Sequence, residues 1–245
     1  DWASLVERYQ ESVFLCVGQG PGGQGGIGTA FVVDAKGILA TNAHVAKMLL
    51  DMPERVAVQN KSGKMFKIRR VIANPAFTGP ASPDVGLIEL EGPLPALIAL
   101  PLADAATVDK LQVGMALGTL GYPGELAADY FANVDPVAER LRGALATFKD
   151  GRISRLTDYQ SRSCDAAQVR IVQHSASLSG GTSGSPMFTA DGIVVAINNA
   201  GLDAMVMVTN PNSSQVESTR MPSGAQIGFA IRIDELRTFI AATGW

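Results

Sequence analysis

The chain has 245 residues, 47% hydrophobic and 18% charged, with a mean hydropathy of +0.16, which is enough for one large domain or two small cores. A net charge of −3 leaves no electrostatic footprint for a nucleic acid, and no apolar run reaches the roughly 18 residues that a membrane-spanning helix needs. Two cysteines, Cys16 and Cys164, are too few for a disulfide-stapled scaffold; without any Cys/His cluster of zinc spacing, no metal or cofactor is expected.

The two thiols are expected to be buried and free rather than bridged. The chain opens on Asp1 rather than Met and displays no signal peptide, which reads as a processed chain. Residues 1–11, DWASLVERYQE, place Trp2, Leu5, Val6 and Tyr9 at helical spacing and predict a short amphipathic helix. The pattern then turns to short β runs divided by Gly, Pro and Asn. SVFLCVG leads into the glycine-rich GQGPGGQGGIG, and DAKG reads as the turn of a hairpin between AFVV and GILATN. ERVAVQN and MFKIRRVIAN flank KSGK as a second hairpin, and DVGLIEL is a further strand.

Residues 92–112 are punctuated by proline and read as a crossing between two halves. The second half repeats the style in MALGTLGYP, LATFKDGRISRL, VRIVQHSA, GIVVAINNAG, MVMVTN and IGFAIRI. Between the first two of these, residues 126–143 break the rhythm. Asp135 as N-cap and Pro136 in the first turn predict an inserted helix near 134–142, a surface insertion or a lid. Residues 202–226 read as a long connection, polar in its middle. Met205 and Met207 alternate with valines there, as in a packed strand. The chain closes with IDELRTFIAATGW, whose Leu236, Phe239 and Ile240 fit a helix. Many short strands and few helices predict an all-β fold of barrels or sandwiches.

The stretch LSGGTSGSPMF, residues 178–188, concentrates glycine, serine and threonine between two apolar runs. It is either a linker or a tight turn that presents one serine. A serine hydroxyl is a weak nucleophile that needs a general base, and the base needs a carboxylate to set its tautomer. Only two histidines occur, His44 in ATNAHVA and His174 in VRIVQHSAS. Asp84 opens DVGLIEL and Ser183 sits in GGTSGSP, so the chain order is His, Asp, Ser. The α/β-hydrolase order puts serine first, and its G-x-S-x-G elbow is not met because Ser185 stands two residues after Ser183. His174 is expected to be structural. Arg69–Arg70 and Asp234–Glu235 are expected as solvated faces.

TNAHV, DVGLIEL and GTSGSP resemble the three signature blocks of trypsin-like serine peptidases, T-x-A-H, D-[IVL]-[AG]-L and G-x-S-G-x-P. GTAFVVDAKGILATNAHV, LGTLGYPG, GRISRL, IVQHSASLSGGTSGSPMF and IGFAI are similar to the HtrA/Deg-like bacterial branch, over about residues 12–240. The PDZ domain usual in that branch does not lie within these residues. The resemblance implies two six-stranded antiparallel β-barrels within one peptidase domain, residues 1–245. The first barrel would take about 12–105, the second 106–232, and a C-terminal helix 233–245. His44 and Asp84 would come from the first barrel and Ser183 from the second. Ser183 would attack the carbonyl while His44, oriented by Asp84, carries its proton to the leaving amine. The N–H groups of Gly181 and Ser183 would form the oxyanion hole.

The same resemblance puts Ser177 at the base of the primary pocket. Leu178 to Gly180, Ile197, Asn198 and Asn199, and Ile227 to Phe229 would be its walls, suiting a small or medium apolar side chain. Thr182 stands where digestive relatives carry an aspartate, so activation by N-terminal insertion is not expected. A serine endopeptidase acting on polypeptides, without cofactor and in an extracytoplasmic setting, is the function implied; the oligomeric state is left open. The alternatives are a protease-fold binding or regulatory protein with little turnover, and an esterase-like hydrolase on the same fold.

Overall fold

SVFLCVG shows no apolar–polar alternation, and its place in the fold explains why. In a computed structural model, which describes residues 1–20, 25–124, 145–201, 203–209, 216–222 and 227–245, this run is strand β1 (Val13–Gln19). Its successive side chains point to opposite faces, and both faces are buried. Phe14 and Cys16 enter a core with Val32, Leu39, Leu49 and Ile88. Val13 and Leu15 join a second core with Phe31, Leu87, Leu117, Leu120, Phe188 and Ile231. One core fills the first half of the molecule, and the other runs from it into the second half.

The first half closes as a six-stranded barrel. With β2 (Gly25–Asp34), β3 (Ile38–Thr41), β4 (Glu54–Gln59), β5 (Met65–Ala73) and β6 (Gly86–Leu90), the order is β1-β2-β3-β6-β5-β4. All pairs are antiparallel, and β4 returns to β1 with Phe14 opposite Gln59. Closure removes the open sheet edges that would otherwise invite pairing with other chains. Gly37, at φ 95° in the DAKG turn, supplies the left-handed residue of the β2–β3 hairpin. Helix α2 (Ala43–Leu50) follows β3 directly and covers one end of this barrel.

The second half repeats the design. β7 (Ala116–Gly121), β8 (Thr147–Thr157), β9 (Ile171–His174), β10 (Pro186–Phe188), β11 (Val194–Gly201) and β14 (Gly228–Arg232) close in the order β10-β11-β14-β9-β8-β7. Strands β12 (Asp203–Thr209) and β13 (Val216–Pro222) form a separate antiparallel ladder, from Asp203 opposite Pro222 to Thr209 opposite Val216. The expected long connection over 202–226 therefore holds two strands, with MVMV supplying one of them. The expected helix near 134–142 lies outside the described residues. The two six-stranded barrels and the all-β class are as the resemblance implied.

The terminal helices pack on these barrels. In α1 (Trp2–Tyr9), Asp1 caps Ser4 N–H at 2.9 Å, Trp2 meets Phe148 and Phe188 of the second barrel, and the buried Tyr9 hydroxyl donates to Gly192 O at 2.8 Å. The short α3 (Ala105–Val108) lies in the crossing, and α4 (Ile233–Thr243) buries Leu236 and Phe239. Of the charged pairs expected as solvated faces, Arg69 and Arg70 are exposed, while Asp234 and Glu235 are half-buried and paired. Arg70 stacks on Trp245 with its guanidinium 4.4 Å from the ring centre, and Arg69 pairs with Glu89. Asp234 takes the buried Arg232 in a two-pronged pair at 2.9 and 2.6 Å, and Glu235 takes Arg170 at 2.8 Å. Both cysteines are free, but only Cys16 is buried, its thiol pushed up to about 12 by that burial. Cys164 is half-exposed, because it lies on the connection before β9 rather than in a strand.

Candidate active site

His44 is the second residue of α2, and Asp84 stands two residues before β6. Because β3 pairs with β6 at Thr41 and Gly86, the start of α2 and the approach to β6 are neighbours. Asn42 joins them by donating from its side chain to Asp84 O at 2.9 Å. Asp84 then holds His44 twice. One carboxylate oxygen accepts from His44 N–H at 2.9 Å, and the other lies 2.6 Å from Nδ1. The carboxylate is 2% exposed while the imidazole is 40% exposed. A carboxylate on Nδ1 assigns the ring proton to that nitrogen and leaves Nε2 as an acceptor. Ahead of Asp84, Ser82 Oγ ties the turn by accepting from the N–H groups of Thr78 and Gly79 at 2.9 and 3.1 Å.

Ser183 sits in the turn between β9 and β10, and that turn is held from three sides. Ser183 O accepts from Thr29 N–H of β2 at 2.8 Å, and Gly184 N–H donates to Asn198 O of β11 at 2.9 Å. Ser185, the residue that broke the G-x-S-x-G pattern, is buried, and its hydroxyl donates to Thr182 O at 2.6 Å. Gly184 adopts φ 89°, and a Cβ there would run into Thr29 O and Thr41 Oγ1. Gly181 adopts φ 90°, and a Cβ would stand 2.9 Å from Ile27 Cδ1. Both positions need glycine for conformation and for space. Among the described residues, neither Gly181 N–H nor Ser183 N–H has a hydrogen-bond partner.

The hydroxyl of Ser183 donates to Asn199 O at 3.1 Å. Among the described residues it shares no hydrogen bond with His44. The structure thus joins His44 to Asp84 and ties the Ser183 turn to the first barrel, with the serine hydroxyl turned to a backbone carbonyl. Of the pocket residues, Ser177 and Gly180 are exposed and Leu178 is half-buried. Ile197 is buried in the core, and Asn198 is buried with its amide donating to Thr119 Oγ1 at 2.8 Å. Asn199 is half-buried.

His174 is buried in the second barrel, with its ring over Gly228, where a Cβ would collide with it. Among the described residues neither ring nitrogen has a partner at hydrogen-bond geometry, and burial pushes its pKa down to about 4 against a smaller opposing pull from the neighbouring Asn198 and the Ala176 backbone. Among the described residues no three His, Cys, Asp or Glu side chains gather to hold a metal ion, and no helix is long and apolar enough to cross a membrane.

The family model for the trypsin-like peptidase domain matches residues 28–197, more than half of the chain. The chain belongs to this family. As a trypsin-like peptidase domain it is 28% identical over 201 residues to the periplasmic serine endoprotease DegP of Salmonella typhimurium, covering 78% of this chain and 35% of DegP. It is 29% identical over 175 residues to the HhoA protein of Synechocystis, covering 71% of this chain and 37% of HhoA. The chain therefore spans little more than a third of the length of these two relatives. The fold is shared with the Rv3671c protease of M. tuberculosis in its active form, at TM-score 0.63 and 19% identity over 97% of this chain and 82% of that one. The family span encloses His44, Asp84 and Ser183; α1, β1, β14 and α4 lie outside it.

Sequence reasoning did not find Asn42, Ser82 or Thr29, although each holds part of the site. Asn42 lies inside TNAHV, Ser82 stands two residues before Asp84, and Thr29 opens the β run that leads to TNAHV, but the partner each one holds is not written in the sequence. Thr29 and Gly181 lie 152 positions apart.

Proposed function

We propose that the chain is a serine endopeptidase that cleaves polypeptides through an acyl-enzyme intermediate formed on Ser183. The observation that carries this reading is the doubly held Asp84–His44 pair, a buried carboxylate fixing a half-exposed imidazole, set beside a glycine-shaped serine turn. In the reaction Ser183 Oγ leaves Asn199 O, gives its proton to His44 Nε2 and bonds to the substrate carbonyl carbon. The oxygen that gains charge is met by Gly181 N–H and Ser183 N–H, and His44 then returns the proton to the departing amine. Asp84 keeps the imidazole in the required tautomer and stabilises the cation that forms transiently.

The uncharged Ser177, with Leu178 nearby, favours small or medium apolar side chains at the cleaved bond. The name of DegP puts that relative in the periplasm, and an extracytoplasmic setting is the reading we adopt here. One observation favours a second reading, a protease-fold binding protein with little turnover: the Ser183 hydroxyl is bonded to Asn199 rather than to His44. Incubation with unfolded casein decides between them. An endopeptidase gives internal fragments with apolar residues at the new C-termini, absent with Ser183→Ala. A binding protein leaves the casein intact.

A further inference from the structure

Three groups of one buried residue, Thr29, meet the active-site turn from the first barrel. Its N–H donates to Ser183 O at 2.8 Å, and its hydroxyl donates to Gly181 O at 2.9 Å. Its carbonyl accepts from Thr41 Oγ1 at 2.7 Å and occupies the space that a Gly184 Cβ would need. The hydroxyl also accepts from Tyr122 N–H at 3.0 Å, which leaves its single proton free to point at Gly181 O. Thr29 itself is fully buried.

A peptide unit is planar, so fixing its carbonyl fixes its N–H. The unit that carries Gly181 N–H is anchored at Gly180 O by Gly124 N–H. The unit that carries Ser183 N–H is anchored at Thr182 O by the N–H and hydroxyl of Ser185. Between these lies the unit from Gly181 to Thr182, whose carbonyl is held by Thr29. That middle unit sets the angle between the two donors. Gly181 has no Cβ to restrict its rotation; within the turn the same unit's Thr182 N–H donates to Ser179 O at 3.2 Å, and Thr29 adds the shorter anchor, on the carbonyl and from outside the turn.

We propose that Thr29 is a positioning residue for the oxyanion hole: its hydroxyl locks the peptide between the two donors, and its N–H locks the peptide behind the nucleophile. The inference rests on the endopeptidase reading above and adds a part that the His–Asp–Ser pattern does not contain. A backbone anchored from the other barrel makes the hole depend on both halves being docked.

The test compares Thr29→Val, which keeps the shape and removes the hydroxyl, with Thr29→Ser, which restores it. Removing one oxyanion donor costs about 10²–10³ in kcat, so Thr29→Val is expected to lower kcat about 100-fold with KM within about twofold. Thr29→Ser is expected to stay within about threefold of the parent. A peptide aldehyde, whose adduct carries the oxyanion, is expected to bind Thr29→Val about 100-fold more weakly. If valine does not fold, Thr29→Ala carries the same comparison.

Amide hydrogen exchange across residues 178–188 provides a readout that needs no turnover. Faster exchange is expected in Thr29→Val and parental exchange in Thr29→Ser. A parent that cleaves nothing while its exchange pattern responds in this way would sink the endopeptidase reading and leave the positioning role standing. Exchange and kcat both unchanged in Thr29→Val, or a loss that serine does not restore, would overturn the positioning role whatever the parent does.

Discussion

Asp84 spends both carboxylate oxygens on one residue, the backbone N–H and the ring Nδ1 of His44. An amide in its place keeps the size but loses the charge, and it can donate where the ring must donate. We expect Asp84→Asn to retain the fold and lower kcat about 10⁴-fold, as in other Ser-His-Asp sites, with circular dichroism and initial rates on a peptide substrate as the checks. His174 acts on stability instead. Its pKa falls to about 4 in the fold against about 6.5 for a free imidazole. The unfolded chain therefore binds the proton first as the pH drops. Its contribution is present in full above pH 6.5, is lost as the pH falls from 6.5 to 4, and stays level below that. The full loss is about 3 kcal/mol at 1.36 kcal/mol per pH unit. Urea unfolding at a series of pH values, compared with His174→Gln, should show this difference confined to that window; a pH-independent difference would contradict it.

Among the elements, the turn that carries Ser183 tolerates least change. Gly184 combines φ 89° with contact against Thr29 O and Thr41 Oγ1, so alanine there must displace β2 or the turn. We expect Gly184→Ala to abolish measurable peptide hydrolysis and to lower the melting temperature, read by enzyme assay and calorimetry. Much of this layer was legible in the residues. TNAHV and DVGLIEL located the strand ends that bring His44 to Asp84, because β3 and β6 pair there. The glycines of GGTSGSP located two positive-φ positions. What could not be read depends on contacts far along the chain. The direction of the Ser183 hydroxyl is set by Asn199 O, and the partners of Arg70, Asp234 and Glu235 are supplied by how α4 packs. MVMVTN reads as a strand, but its partner β13 was missed for a related reason, since VESTRMP alternates too weakly to announce a strand by itself. Cys164 was expected inside because free thiols favour cores, yet it sits in a connection with little to cover it.

Across the whole molecule, the two barrels divide the candidate site. The first carries the Asp84–His44 pair, the second carries the Ser183 turn, and a shared core running from Leu15 and Phe31 to Phe188 and Ile231 holds them together. Neither barrel holds the whole set. The central claim is that this docking yields an activated serine. The most direct measurement is reaction with a fluorophosphonate, followed by mass spectrometry of the intact protein and its peptides. The account predicts one adduct, on Ser183, absent in Ser183→Ala and strongly slowed in Asp84→Asn. A folded protein that takes no adduct, or one labelled at another residue, would contradict it.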